Sequence, residues 1–336
     1  MINYFELKKW YNENAEKINN SIVKNIYNIE DGVVFELYKP GLENRFLYII
    51  PGKIIFLYNV KEREETNNFT LKLRKDFNET KINIEIDNND KIIIIKNNEK
   101  KIYVELFPNG LLIITDYNDI ILYANQYKNF GVRKIFRNEK YTKPPGSVNI
   151  INNINEFFEK INNTNKKDVV RFLAIDLSLG GKYAEYILKK LNIDKSKSPK
   201  ELNKEEIEKI YSIYNDIINL KVIIDENENI IEDINKYFIN LYLNSRENKR
   251  IKKLNEEKEK IKRIIEEQKK YLEDINKEIN KLEKIGEFLN IYSWIFKDYD
   301  TNNIIEKFRE ININIDIKKD NKYLIINIDD KYLENK

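Results

Sequence analysis

Residues 169–194, VVRFLAIDLSLGGKYAEYILKKLNID, decide how the rest of this chain is read. An apolar helical run enters Leu179-Gly180-Gly181, and a second helix opens at Lys182-Tyr183-Ala184-Glu185. Glycine lets the backbone turn where a side chain would clash, and the first amides of the next helix have no partner within it. Those amides and the helix dipole point the same way, so the turn suits a phosphate. This is the physics of a helix-hairpin-helix, which grips nucleic-acid backbone without reading bases. Gly180, Gly181 and Lys182 are its candidate backbone contacts. The same residues also suit an ordinary helix-turn-helix with a glycine stop, and the turn alone does not separate the two.

Composition limits the chemistry. The 336 residues suffice for two or three domains and include neither Cys nor His. Disulfides, thiolate nucleophiles, Ser-His-Asp or Cys-His mechanisms and nearly all zinc sites are thereby excluded. Absence of Cys fits a reducing cytoplasm. No apolar run approaches the roughly 18 residues a membrane helix needs, and Met1-Ile2-Asn3-Tyr4 does not open like a signal peptide. A soluble, cytoplasmic protein without a membrane partner is expected.

A net charge of +3 points nowhere by itself, but charge is unevenly placed. Between positions 128 and 143 stand Lys128, Arg133, Lys134, Arg137, Lys140 and Lys143 against Glu139, with Tyr127, Phe130, Phe136 and Tyr141 nearby. Interleaved cations and aromatics suit phosphate contact with base stacking, or else a solvated loop. Arg133, Lys134 and Arg137 are the candidate phosphate contacts.

The first 25 residues read as a helix, with Leu7, Trp10, Tyr11, Ala15 and Ile18 near helical spacing. Strands are expected at 33–37, 46–50, 54–57, 82–86, 91–95, 102–106 and 111–114, with a helix at 69–77. Pro40-Gly41 and Pro51-Gly52 supply turns. This makes an α+β domain over residues 1–148 that ends at the Lys143-Pro144-Pro145-Gly146 linker. A helical domain carrying the hairpin follows over 149–244, then a coiled-coil strand over 245–289 and a small α/β tip over 290–336. The coiled-coil seam runs Ile251, Leu254, Lys258, Ile261, Ile265, Gln268, Leu272, Ile275, Ile279, Leu282, Gly286, Leu289, with nine of twelve positions apolar. One such strand exposes its stripe unless a second covers it. A returning strand, another chain or self-association is therefore expected. In the tip, a helix at 301–309 and strands at 311–317 and 323–328 are joined by a Lys319-Asp320-Asn321 turn.

The string Leu179-Gly180-Gly181-Lys182-Tyr183-Ala184-Glu185-Tyr186-Ile187, with Asp194 closing the loop, resembles the hairpin of the NFACT family, ribosome quality-control factors of the RqcH and NEMF types. That pattern carries a second Glu where Tyr186 stands. The resemblance keeps its register over most of the chain. Phe5-Glu6-Leu7 with Val23-Lys24-Asn25-Ile26-Tyr27 is similar to the opening helix of the family, Glu6 standing for an Asp. Phe69-Thr70-Leu71-Lys72-Leu73-Arg74-Lys75 resembles its next helix, and Tyr141-Thr142-Lys143-Pro144-Pro145 its exit linker. Residues 233–238 resemble the helix that leads into its arm. A functional Asp-Arg pair falls on Asp90-Lys91, where the charge is kept and the planar fork is lost. Glu105 matches a family Glu, although the loop Phe107-Pro108-Asn109-Gly110 departs from the pattern.

The resemblance implies a glycosylase-like N-terminal α+β domain, a helix-hairpin-helix, a long antiparallel coiled-coil arm with a small tip, and a C-terminal RNA-binding domain. Against that plan this chain matches the front half. It implies a non-enzymatic factor that binds the large ribosomal subunit, through rRNA, when that subunit carries stalled peptidyl-tRNA. The factor recruits tRNA for mRNA-independent C-terminal tailing, without metal or cofactor. Glu6, Asp90, Lys91 and Glu105 would face the tRNA. Carboxylates repel phosphate, so they would bond base edges or ribose hydroxyls. Two rival readings follow from relatives: a DNA glycosylase, which would need an N-terminal proline where this chain has Met1-Ile2-Asn3, and a fibronectin-binding surface adhesin.

Overall fold

Asn3 starts the first helix, α1 (Tyr4–Ile18), through a capping box: its side chain accepts a backbone N–H while Glu6 reaches back to the Asn3 amide. Phe5, Leu7, Trp10 and Ile18 are buried along one face. The helix stops earlier than its sequence pattern suggests. Asn20 adopts a left-handed conformation (φ 63°), and Asn19 accepts the Ile84 amide on its side chain at 2.7 Å. The chain then leaves as a strand, so residues 21–25 and the Val23–Tyr27 motif belong to β1 and not to the opening helix. In the computed structural model, residues 2–144, 148–297, 300–320 and 323–333 are described.

Strand β1 (Ser21–Ile29) is followed by β2 (Gly32–Tyr38), β3 (Arg45–Ile50) and β4 (Ile54–Tyr58), then α2 (Asn68–Phe77). Next come β5 (Lys81–Ile86), β6 (Ile92–Lys96), β7 (Lys101–Glu105), β8 (Leu112–Thr115) and β9 (Ile121–Ala124). Every observed pairing is antiparallel, in the order β4-β3-β2-β1-β5-β6-β7-β8-β9. The sheet has a seam at β1–β5, where only Ser21↔Ile82 and Ile22↔Lys81 pair. Strands β10 (Lys128–Asn129) and β11 (Lys134–Ile135) make a short hairpin turning at Gly131 (φ 81°). Pro145 and Gly146 of the expected linker lie outside the described residues.

The helical region holds α3 (Ile154–Asn163), α4 (Val169–Arg171), a π-helical turn at Phe172–Asp176, α5 (Gly180–Lys190) and α6 (Lys204–Ile218). The first hairpin helix is thus one α-turn that widens into a π-turn before the glycines. Phe172, Leu173, Leu177, Leu179, Tyr183 and Ile187 are all buried in the same core as Phe5, Leu7 and the sheet. Residues 1–148 and 149–244 therefore share one interior, and the chain divides into compact units 1–246 and 247–336.

Helix α7 (Ile234–Ile291) runs unbroken for 58 residues, ~87 Å at about 1.5 Å per residue. Phe238 and Tyr242 anchor its start in the core of the first unit. Within the second unit its seam residues Ile251, Leu254, Ile261, Leu272 and Leu282 stand mostly exposed. This stripe is expected to draw copies of the chain together. Sedimentation equilibrium should show concentration-dependent association that Ile261→Glu with Leu272→Glu abolishes; a strict monomer at high micromolar concentration would refute it.

The second unit is completed by α8 (Thr301–Glu310), β12 (Ile315–Asp320) and β13 (Tyr323–Ile328), which pair antiparallel. Phe288, Ile295, Ile304 and Phe308 form its core, with the Phe288 and Phe308 rings 5.9 Å apart. Here β12 begins four residues later than its apolar pattern, because Asn312 (φ 59°) prolongs the turn after α8. It also continues through Lys319 and Asp320, and Asn321 of the expected turn is outside the described residues. Among the described residues no helix is long and apolar enough to cross a membrane. Sheet and helices together make an α+β fold.

Candidate nucleic-acid interface

The hairpin turn meets the start of the chain. Asn3 donates its side-chain amide to the Leu179 carbonyl at 2.5 Å, and Gly180 beside it is left-handed (φ 74°). A Cβ on Gly180 would stand 3.3 Å from that amide, whereas one on Gly181 would meet nothing within 4 Å. The start of α5 is open at the second glycine and latched at the first.

Glu6, expected to face RNA, is buried (1% exposed). Its carboxylate accepts the Asn3 backbone N–H at 2.9 Å, the Tyr183 hydroxyl at 3.2 Å and the Lys182 ammonium in a close ion pair. Lys182 also donates to the Ile224 carbonyl at 2.8 Å. Its charge is therefore spent inside the protein and not held out for phosphate. Burial, then the Glu6 charge, pushes the Tyr183 hydroxyl far up, so it stays a donor. Sequence reasoning missed the roles of Asn3 and Tyr183. The spacing Asn3-x-x-Glu6 is a capping-box signature that could have flagged the first.

Asp90 and Lys91 enter β6 beside this node and are half-buried. Lys91 donates to the Ile2 carbonyl at 3.3 Å, and the Asp90 carboxylate accepts the Lys91 amide at 2.8 Å. Burial pushes the Lys91 ammonium below its ordinary value, partly offset by Asp90 and Glu6. Burial likewise raises the Asp90 carboxyl, only partly offset by the Lys91 amide. Half-burial thus disfavours the charged form of both groups, and each is partly offset by the other. Lys91 borders a cleft of about 410 Å³ lined also by Ile2, Asn3, Ser178, Gly180, Gly181 and Lys182. The cleft thus gathers four of the sequence candidates, Lys91, Gly180, Gly181 and Lys182, around one opening.

Glu105 and Arg133 are corrected together. The sequence puts one at a tRNA-facing strand end and the other in the basic surface segment; the structure buries both, at 0% and 5% exposure. They form a two-pronged ion pair, with Arg133 Nη2 donating to Glu105 Oε2 at 2.9 Å and Nη1 to Oε1. The Tyr141 hydroxyl (3.0 Å) and Leu111 amide (3.1 Å) complete the carboxylate's donors. Burial alone would weaken Arg133's hold on its proton, but Glu105 reverses that and raises it. Gly110 is required here, since a Cβ would lie 2.4 Å from the Glu105 carbonyl oxygen. The pair anchors the β10–β11 hairpin; neither member is presented to a ligand.

Other cations on and after that hairpin remain exposed. Lys134, Arg137 and Lys140 face solvent. The Tyr127 and Phe136 rings lie nearly parallel (6°) with centroids 6.2 Å apart, both roughly half exposed. Val132, 76% exposed, caps the tip.

No curated protein matches this chain. Among solved structures it is similar to the N-terminal region of the fibronectin/fibrinogen-binding protein of Streptococcus suis (TM-score 0.54, 16% identity, 72% of this chain and 98% of that one). It is also similar to the N-terminal domain of fibronectin-binding protein PavA of Streptococcus pneumoniae (TM-score 0.46, 18% identity, 56% and 80%). A third similar structure is the fibrinogen-binding protein of Staphylococcus aureus (TM-score 0.46, 15% identity, 62% and 81%). At these identities the first likeness speaks for the fold alone. The pattern of the NFACT N-terminal and middle domains matches residues 3–222, well over half of the 336-residue chain, and the chain therefore belongs to the NFACT family.

Proposed function

We propose that this chain is a cytoplasmic ribosome quality-control factor that binds the large subunit bearing stalled peptidyl-tRNA and recruits tRNA for mRNA-independent tailing. The observation that carries the reading is the family match over residues 3–222. In this reading the ribosome forms the peptide bond and the chain positions RNA. Lys91 at the 410 Å³ cleft, with Asp90 next to it, contacts tRNA. Glu6 and Glu105 are positioning residues that hold the cleft wall and the hairpin. Lys134, Arg137 and the open amide of Gly181 meet phosphates, while Tyr127 and Phe136 offer ring faces to bases.

The names of the structural neighbours favour a second reading, in which the exposed surfaces bind fibronectin or fibrinogen. Co-sedimentation with purified large subunits, followed by sequencing of bound RNA, separates the two. Subunit binding with recovered tRNA supports the factor; binding to fibronectin with no RNA overturns it.

Replacing Asp90 and Lys91 together by Ala is expected to lower tRNA recovery at least tenfold while subunit binding persists. Lys91→Arg should preserve or improve recovery, because a guanidinium makes a bidentate contact that an ammonium cannot. Undiminished tRNA in the double variant would reassign this pair to a charged strand end.

A further inference from the structure

A second cleft, of about 380 Å³, opens between the β1–β2 turn, the β7–β8 loop and the segment that leads from β9 into β10. It lies within the range of about 300–1,000 Å³ usual for small-ligand sites. Five carboxamides stand in its lining: Asn28, Asn67, Asn109, Asn125 and Gln126. Asn28 and Asn67 are spent on each other, with Asn67 Nδ2 donating to Asn28 Oδ1 at 2.8 Å. Asn125 accepts the Leu112 amide at 3.0 Å on its oxygen, which leaves its NH₂ to the cleft. The side chains of Asn109 and Gln126 make no hydrogen bond among the described residues. Phe69, half-buried and set edge-on against Tyr123 at 5.9 Å, supplies an aromatic surface. Lys128 stands exposed on the same lining.

We infer that this cleft binds a single unstacked nucleobase bearing an exocyclic amine, adenine foremost. The inference rests on the RNA-binding reading above for the source of the base and on the lining for its identity. A free carboxamide offers donor and acceptor side by side, the pattern that pairs with the adenine amine and its neighbouring ring nitrogen. Unpaired bases in RNA are recognised this way, on their edges and by stacking on an aromatic ring. Glu30 and Asp31 also line the cleft, and Asp31 is held by Lys53 at 2.8 Å. Carboxylates there accept from an exocyclic amine and repel a phosphate, so the phosphate is directed to Lys128. A bare sugar or a bare anion would satisfy only part of this set.

The test is titration calorimetry of the full chain with adenosine 5′-monophosphate, uridine 5′-monophosphate and ribose 5-phosphate. The adenine nucleotide should bind at least tenfold more tightly than the other two. Gln126→Trp, which fills the cleft from an exposed position, should remove that binding, and Gln126→Ala should weaken it several-fold. Equal binding of ribose 5-phosphate, or adenine binding untouched by Gln126→Trp, would overturn the inference. Large-subunit binding without nucleotide discrimination would sink this site and leave the ribosome reading intact. Nucleotide binding lost on Gln126→Trp, in a chain that ignores large subunits, would do the reverse.

Discussion

Replacing Arg133 by Met should destabilise the first unit by about 3–5 kcal/mol, because it strands the Glu105 carboxylate in the interior without its counter-charge. The remaining donors, the Tyr141 hydroxyl at 3.0 Å and the Leu111 amide at 3.1 Å, satisfy its geometry but not its charge. Removing both partners, as Arg133→Met with Glu105→Leu, should recover most of the loss, since an apolar pair of similar volume is often no worse than a buried ion pair. Urea unfolding of the three variants checks this. A loss under about 1 kcal/mol in the single variant would mean that water reaches the carboxylate, and the buried pair would have to be abandoned.

The second large effect is on RNA. Reversing Lys134, Arg137 and Lys140 to Glu leaves the folded core untouched, since all three face solvent. If each meets one phosphate, the slope of log affinity against log salt should shrink by about 2–3 on removing three contacts. Binding to large subunits at 0.1 M salt should then fall by about a hundredfold. Arg133 is left in place deliberately, because its loss would confuse unfolding with lost contact. Unchanged affinity and slope would show that the hairpin's cations are merely solvated.

Much of the fold was legible from alternation and turn chemistry. Strands β2 to β8 and helix α2 fall close to where Val33, Leu47, Phe56, Ile84 and Ile93 with their neighbours place them. The chief misreading, β1, has a physical cause. Ile18, Ile22 and Ile26 recur every fourth residue, a spacing that suits one face of a helix and one face of a strand alike. Asn20 in its left-handed turn decides between them, and in an Asn-rich chain it gave no distinct signal. The candidate site was legible as residue types and not as partners. Glu6 and Lys182 are 176 positions apart and Glu105 and Arg133 are 28 apart, so nothing local marked either couple as buried. The Asn109 and Gln126 cleft was invisible for the same reason, being assembled from separate loops.

The 28 positions between Glu105 and Arg133 also set a timetable. At about 5–20 residues per second of synthesis, roughly 1.5–6 s pass between the emergence of the carboxylate and that of its guanidinium. During that interval β6, β7 and β8 can pair, but sealing them would imprison a lone anion. Tyr141, 36 positions after Glu105, arrives later still. The corner of the sheet around Glu105 is therefore expected to close only after Arg133 has left the tunnel, an order that limited proteolysis of chains arrested on either side of position 133 would test.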